Sequence, residues 1–328
     1  LAFVLLCAAV PSKQAFDKLS ETQFEAFKIK FAKKYKSVDE ESMRLKIFRQ
    51  NLRRVAKMNL NTKGRNNFGV TQFSDLTPSE FSHLYLMPHR PKPDIKPEQV
   101  LQFNSSVQVP SSWDWRTDGL RGGVSAITAV YNQGQCGSCW AFSATEETES
   151  MEFLQNSQLA SPHHLSMQQV VDCDTQAYGC DGGWTYIAYE YIMSCGGYDS
   201  LSSYPYTAVD GQCAYNPANV EATISNWKYV TQNQNEDTMK TFVGSTGPLS
   251  ICVDASSWQF YNGGVLTSCG QSIDHCVQIV GYGTFQGTAA WVVRNSWGTS
   301  WGINGYILLE YGQNMCALAD VVTTVTTG

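Results

Sequence analysis

The stretch QGQCGSCW, residues 133–140, sets Cys136 and Cys139 three positions apart. Such a pair can be a redox-active disulfide, half of a zinc site, or a structural bridge beside one reactive thiol. An unperturbed thiol, pKa ~8.5, is ionised to only about one part in three thousand near pH ~5. A nucleophilic cysteine working in acid therefore needs a local cause for its ionisation. Cys139 stands where a helix is expected to begin (CWAFSATEETESMEFLQ), and the unpaired N–H groups and macrodipole of a helix start favour an anion. Cys136 lies before that helix and lacks the help. A cation would contribute more, and beyond residue 109 the only histidines are His163, His164 and His275. The first two sit in the polar loop ASPHHLS; His275 stands at the mouth of an apolar strand, SIDHCVQIVGYG. A strand end holds an imidazole better than a loop, so His275 is the expected acid/base. Asn295 falls between an apolar strand and a Trp/Gly-rich turn. Its amide oxygen can accept the imidazole N–H and fix the ring without adding a negative charge. Taken singly, His275 fits a buried structural histidine equally well, and Asn295 an ordinary turn residue.

The elements that would position these groups change character along the chain. The first third reads as helices. Ser20–Gln23 (SETQ) has the form of a capping box before Phe24, Phe27, Phe31 and Tyr35, spaced along one helical face. SVDE at 37–40 is a second box, leading to Phe48, Leu52 and Val55 on one face, and Thr77-Pro78-Ser79-Glu80 is a third with proline at the first helical position. These aromatic stripes are read as packing. Four prolines in MPHRPKPDIKP, residues 87–97, predict an extended linker that proteases can reach, and Asn104 opens an N-glycosylation sequon, Asn-Ser-Ser. Later come short β-forming runs at 249–253, 276–280, 290–293, 306–309 and 321–325, separated by Gly, Asn and Ser. Helices first and strands later make the fold class α+β, with an antiparallel sheet or barrel. There is no internal repeat and no phosphate-binding glycine loop.

Composition bounds what such a chain can be. Its 328 residues suffice for two or three compact units, and high apolar content with modest charge indicates a sizeable buried core. Residues 1–10, LAFVLLCAAV, are too few to span a bilayer and precede small and polar residues. They read as part of a secretory signal peptide, with a buried strand as the plainer alternative. Eleven cysteines, none between Cys7 and Cys136, suggest disulfides formed in an oxidising compartment. Residues 1–108 hold 18 Lys and Arg against 10 Asp and Glu, a net of +8; residues 109–328 hold 5 against 19, a net of −14. A basic third and an acidic remainder are different objects that attract one another. The basic charges are interleaved with helical apolar positions, which favours a folded helical unit over a nucleic-acid-binding arm.

NQGQCGSCWAFS, GCDGGW, DHCVQIVGYG and RNSWGTSWGINGYI occur along the chain in this order. With them the chain resembles the papain-like cysteine peptidases, and specifically the cathepsin L-like group made with an inhibitory propeptide. The resemblance covers nearly everything from Val109 onward. It implies a two-lobed fold with a cleft between a mainly helical lobe (about 109–220) and a mainly β lobe (about 221–328). Ahead of these it implies a signal peptide (1–15), a helical inhibitory prodomain (16–85) and a linker with the processing site (86–108). It implies that Cys139 is the nucleophile, His275 its acid/base partner and Asn295 the residue orienting that histidine. Trp297 would shield the His–Asn contact, and the Gln133 amide would join the Cys139 N–H in an oxyanion hole. Disulfides Cys136–Cys180, Cys173–Cys213 and Cys269–Cys316 are implied in the same way.

By the same resemblance Gly183 would present its backbone to an extended substrate. The pocket for the P2 side chain would be lined by Trp184, Thr185, Cys252, Ile273, Cys276 and Val321; Cys252 and Cys276, like Cys195, fall outside the three implied bridges, and small apolar thiols would fit there, with their redox state left open by the sequence. None of these is charged, so apolar P2 residues are expected over Arg. Glu40, Arg44, Phe48, Asn51, Val55 and Asn59 fit the propeptide's first motif, and Gly69 through Phe73 to Asp75 its second, with Thr71 in place of the usual Asn. The implied product is an endopeptidase of the lysosome, a digestive vacuole or the extracellular space. It would be made inactive and activated in acid by a cut near Val109. Protein substrates, its own prodomain and cystatin-type inhibitors are the expected partners; no nucleic acid, membrane span, cofactor or metal is called for. Apparent insertions at 117–127 and 161–165 depart from the family spacing. Three alternatives stand beside this reading: a thiol–disulfide oxidoreductase, which lacks its βαβ context; a metal site, for which histidines are scarce; and a non-catalytic relative.

Overall fold

The computed structural model describes residues 13–61, 66–104 and 107–328. The proposed signal sequence through Ser12, with Cys7, and the two sequon serines lie outside them. Three helices open the described chain: α1 (Lys13–Lys30), α2 (Val38–Asn61) and α3 (Pro78–Tyr85). Two of the three expected start signals operate. The Ser37 hydroxyl accepts the Glu40 N–H at 3.1 Å, and Thr77 and Glu80 form a reciprocal capping box with Pro78 in the first turn. SETQ does not start a helix, because α1 already runs through it; the Ser20 hydroxyl instead donates to the Asp17 carbonyl one turn back at 2.7 Å. Phe24, Phe27 and Phe48 form a small aromatic core between α1 and α2, with Phe31, Tyr35 and Leu52 packed against it. Polar residues of α2 then anchor the segment that leads into α3. The Asn51 amide donates to the Ser74 and Leu76 carbonyls, Asn59 exchanges two bonds with the Phe68 backbone, and Arg44 reaches Glu80 at 2.9 Å.

From residue 109 onward the chain contributes four more helices: α4 (Cys139–Gln155), α5 (Met167–Cys173), α6 (Thr185–Cys195) and α7 (Glu236–Ser245). Its strands, numbered after β1 (Asn66–Phe68), are β2 (Trp113–Asp114), β3 (Tyr198–Asp199), β4 (Val220–Ala222), β5 (Ile224–Tyr229), β6 (Leu249–Val253), β7 (Tyr261–Leu266), β8 (His275–Phe285), β9 (Thr288–Arg294), β10 (Tyr306–Glu310) and β11 (Val321–Thr327). The large sheet runs β1-β7-β10-β9-β8-β6-β11-β5, with β2 added on β8; it is antiparallel except where β10 meets β7. All five expected β runs are strands. β5 and β7, which alternate less cleanly, are additional. α4 packs against β6, β8, β11, α5 and α6 and is buried on every side.

A helix buried all round is normally apolar all round. α4 instead carries Glu146, Glu147 and Glu149: the last two accept hydrogen bonds, whereas Glu146 has the Arg294 charge beside it but no hydrogen bond to either oxygen among the described residues. Arg294 lies 3.3 Å from Glu146; Thr324 and Gln278 donate to Glu147; Thr128, Tyr131 and the Leu165 N–H donate to Glu149. The two insertions gather around the far end of this helix. Arg121 donates to the Phe153 and Asn156 carbonyls, His163 pairs with Glu152 at 3.0 Å and His164 with Tyr131 at 2.7 Å. At 1.5 Å per residue that end lies roughly 25 Å from Cys139, so neither insertion borders the thiol.

The expected linker is extended and exposed along most of its length, and it docks at its two ends. Leu86 and Met87 are buried, and the Met87 N–H donates to the Asp274 carbonyl at 2.8 Å. Residues 95–101 turn through a short 3-10 helix at Pro97–Gln99 and meet the Tyr229 end of β5, with Ile95 held by Gln232 just beyond it. The proline-rich composition sets an extended backbone, as expected, and that backbone is pinned against the rest of the molecule at these ends.

Candidate active site

Cys139 is the first residue of α4, and the nearby backbone N–H groups of Cys276, Trp140 and Cys139 itself pull its thiol toward the anion. Its helix start is held by neighbours rather than by a capping side chain. The Ser138 hydroxyl bonds Tyr206, whose hydroxyl donates to the Gln133 carbonyl. Gly137 has no room for a side chain, since a Cβ there would stand 2.4 Å from the Cys180 carbonyl oxygen. That close approach is what the Cys136–Cys180 disulfide clamps.

His275 is the first residue of β8, so the Cys276 N–H that acts on the thiol belongs to its neighbour. The imidazole Nε2 lies 2.7 Å from Asn295 Oδ1 and donates to it, leaving Nδ1 as the nitrogen with no hydrogen-bond partner among the described residues. Asn295 Oδ1 also accepts the Ser296 N–H. Trp297 covers the pair, its ring 4.7 Å from the imidazole and inclined by 31°, and Trp258 meets the imidazole edge-on. The Gln133 side chain is held by its oxygen, which accepts from Ser296 Oγ at 2.6 Å and Trp297 Nε1 at 3.1 Å. Its Nε2 therefore points inward, where it donates to the Cys136 carbonyl at 2.8 Å and to the Tyr85 carbonyl at 3.1 Å. Tyr85, Leu86 and Met87 thus lie in the groove beside Cys139, and Met87 continues against Gly182.

The cover has an electrostatic consequence. Burial pushes the Cys139 thiol up to about 12, against the opposing pull of the N–H groups around it. Burial likewise pushes His275 down to about 4, although its bond to Asn295 works in the other direction. With the groove filled, both groups are neutral across the range in which proteins work. Asp274, next to the pair, is raised to about 8 by burial, opposed by the Ala255 N–H.

None of the residues expected to line the P2 pocket is charged. Val321, Cys252 and Cys276 stand opposite one another on β11, β6 and β8, and Ile273, Trp184 and Thr185 are buried as well. The pairing state that the sequence leaves open is answered here. Cys252 and Cys276 are not thiols but a fourth disulfide, because antiparallel register places them directly opposite with Cα atoms 4.0 Å apart. The three implied bridges are all present, and among the described residues the free cysteines are Cys139 and the half-buried Cys195. Gly183 and Trp184 line a cavity of about 320 Å³ that Arg90 and Pro91 border; the Arg90 guanidinium stacks 4.0 Å from the Tyr178 ring. Sequence reasoning missed Ser296, Trp258 and the Tyr85 carbonyl. Ser296 follows Asn295 directly and was within reach; a backbone carbonyl donated by a distant segment leaves no signature in side-chain types.

Propeptide residues make the remaining contacts. Phe73 and Phe81 set their edges against Trp297 at 5.3 and 5.4 Å, and the Gln72 amide donates to its carbonyl. The Thr71 hydroxyl donates to the Gln259 carbonyl, and the Gln259 amide donates to the Phe73 and Leu76 carbonyls. No group of three or more His, Cys, Asp or Glu among the described residues is placed to hold a metal ion, and none of their helices is long and apolar enough to cross a membrane.

A thiol at a helix start, an imidazole–amide pair and a groove filled by the chain's own N-terminal part define a thiol-dependent hydrolase in precursor form. Residues 109–326 match the papain family cysteine protease domain and residues 24–81 the cathepsin propeptide inhibitor domain, and the chain belongs to that family. It is 40% identical to cysteine proteinase 1 of Dictyostelium discoideum, over 99% of this chain and 98% of that protein. It is 38% identical to cathepsin L1 of Drosophila melanogaster, over 97% and 88%. The structure of digestive procathepsin L2 from the larval midgut of Tenebrio molitor superposes with a TM-score of 0.82 at 34% identity, covering 94% of this chain and 99% of that one. The protein is a cathepsin L-like cysteine proteinase that carries its own inhibitory propeptide.

Proposed function

We propose that Cys139 is the nucleophile, His275 its acid/base partner and Asn295 the group that fixes the ring, in an endopeptidase acting through an acyl-enzyme. Once the propeptide leaves, water reaches the pair and the burial that keeps it neutral is relieved. The N–H groups around the sulfur then favour thiolate, with the proton on His275. Thiolate attacks the peptide carbonyl, whose developing charge is received by the Cys139 N–H and Gln133 Nε2. His275 protonates the leaving amine and later takes a proton from the attacking water. The observation that carries this reading is the Gln133 amide donating to the Tyr85 carbonyl of a peptide lying in the groove. It is the contact a substrate carbonyl would make.

The finer division follows the same reading: a helical inhibitory prodomain over 16–85, a processing segment over 86–108 with the cut near Val109, and the peptidase from there. Apolar P2 residues are preferred, through Trp184, Thr185, Ile273, Val321 and the Cys252–Cys276 cystine. Four disulfides suit an oxidising compartment. We place the enzyme in the secretory pathway, with lysosome, digestive vacuole or extracellular space as its destination and cystatin-type inhibitors among its partners. The test is acid activation of the purified proenzyme, assayed with a P2-Leu peptide. Activity should appear after acidification, be abolished by a thiol-directed epoxide, and fall by on the order of 10⁶ in Cys139→Ala. Undiminished hydrolysis by Cys139→Ala would falsify the assignment.

A further inference from the structure

The large sheet has two edges, and the N-terminal third covers both. β1 pairs with β7 at one end. At the other end β5 is paired with β11 on one side only, and the Tyr229 end of its free side is met by residues 98–101. Val100 bridges Tyr229 in the parallel sense and the Leu101 N–H donates to the Tyr229 carbonyl at 2.7 Å. Lys228 Nζ donates to the Glu98 carbonyl at 2.9 Å and Gln232 Nε2 to the Ile95 carbonyl at 2.7 Å. Each of these bonds is made to the backbone of the strap, which turns through a short 3-10 helix at Pro97–Gln99, so they hold this backbone whatever its side chains. Selectivity comes from Ile95, Val100, Leu101 and Phe103, all packed against the core, with Phe103 edge-on to Phe242 at 5.7 Å. None of these partners belongs to the catalytic groove.

We propose that the β5 edge is a second peptide-docking site, separate from the groove, and that residues 95–103 of this chain remain docked there after the inhibitory helices have left. Main-chain pairing along an exposed edge with pockets for intermittent apolar side chains is a self-sufficient mode of peptide binding. A protease needs several residues in extended, accessible form, whereas the strap turns through a 3-10 helix at Pro97–Gln99 and its backbone is engaged at three points. Residues 107–108 downstream and 91–92 upstream are exposed, and within the strap Lys96, Pro97, Glu98 and Gln102 are exposed too, but there the backbone is turned and held between the half-buried Ile95, Val100, Leu101 and Phe103. Cuts therefore fall on either side of the strap, leaving it as an N-terminal extension or as a bound peptide. In both cases it caps an edge that would otherwise invite pairing with another chain. The inference rests on the proposed activation by propeptide cleavage.

Two experiments test it. Native mass spectrometry of the acid-activated enzyme should find residues 95–103 retained, covalently or as a ligand lost on denaturation; a native product that begins near Val109 and carries no peptide overturns the proposal. Limited thermolysin digestion of the Cys139→Ala proenzyme is independent of self-processing, so it stands even if the activation reading fails. Cleavage before Val107 should outpace cleavage before Val100, Leu101 or Phe103, and Phe103→Asp should speed the latter about tenfold. Equal rates within and outside the strap, or no effect of Phe103→Asp, overturn it. Hydrolysis of a small peptide by activated Phe103→Asp enzyme should be unchanged, which separates this edge from the groove.

Discussion

Gln133 shows how much one side chain is constrained here. Its oxygen is saturated by Ser296 and Trp297, so its nitrogen has one orientation, toward the place where a carbonyl arrives. Gln133→Ala should lower kcat by about 10²–10³ with a smaller change in KM, because the donor matters most when the oxygen becomes charged; steady-state kinetics of the activated enzyme decide this. Ser296→Ala frees one restraint and should produce a milder loss of the same kind. The Cys252–Cys276 cystine makes a different prediction. It joins two strands immediately beside His275 and forms part of the wall where an apolar P2 group is expected. A Cys252→Ala/Cys276→Ala enzyme should shift its P2 profile toward larger apolar residues, since two smaller methyls replace a fixed S–S unit. Peptide-library profiling against the parent enzyme measures the shift; an unchanged profile would remove this cystine from the pocket wall. P2 Arg should remain poor in both, as neither wall supplies a negative charge.

Element by element, legibility followed how local each determinant is. The start of α3 was readable because Thr77, Pro78 and Glu80 act within one turn. The five strands were readable because apolar runs between turn residues need no distant partner to be recognised. SETQ failed because upstream residues were already helical and turned a start signal into interior sequence. The linker was legible in its extended form and exposure, but where along such a segment it docks is decided by the surface it meets. Likewise Cys139, His275 and Asn295 were marked by chemistry and family pattern, whereas the Cys252–Cys276 bridge depends on the register of β6 against β8, which spacing alone does not give. α3 and the turn before it carry their own prediction. Phe73 is buried and touches Trp297, Phe81 and Tyr85, joining the propeptide to the lid of the His275–Asn295 pair. Phe73→Ala forfeits about 3–5 kcal/mol of packing, enough to weaken propeptide inhibition by more than a hundredfold. The expected result is a proenzyme with measurable activity at neutral pH before any cleavage, read with a small fluorogenic peptide and checked for intact chain length.

For the whole molecule the question is what acid acts on. General attraction between a basic prodomain and an acidic enzyme finds little direct expression: among the described residues a single carboxylate ion pair, Lys92 with Asp320, joins residues before 109 to residues after it. Nor does the catalytic pair supply the trigger. Moving one proton from Cys139 to His275 on uncovering leaves the proton count unchanged, so that exchange carries no pH dependence of its own. The carboxyls on the two sides of the interface do respond, and in opposite senses. Burial pushes Glu80 up, but the Thr77 N–H and Arg44 outweigh it and hold Glu80 below its usual value. Its stabilisation of the prodomain is present above about pH 4.5 and is lost as pH falls through its lowered pKa. Burial raises Glu147 to about 8 and Asp174 to about 6 in the peptidase. Their contribution is complete below about pH 4 and is lost as pH rises through those values. Acid therefore loosens the inhibitor while strengthening the enzyme it leaves behind. Glu80→Gln, which cannot ionise, should move the onset of processing to higher pH, followed by gel densitometry across pH 4 to 7. Glu147→Gln should lengthen the half-life of the mature enzyme at pH 7.5 and leave it nearly unchanged at pH 4.5, because the penalty removed, on the order of a few kcal/mol, exists only where the buried carboxyl is pressed to ionise. If both variants keep the parent's pH profile, the opposed carboxyls are not what couples acid to activation.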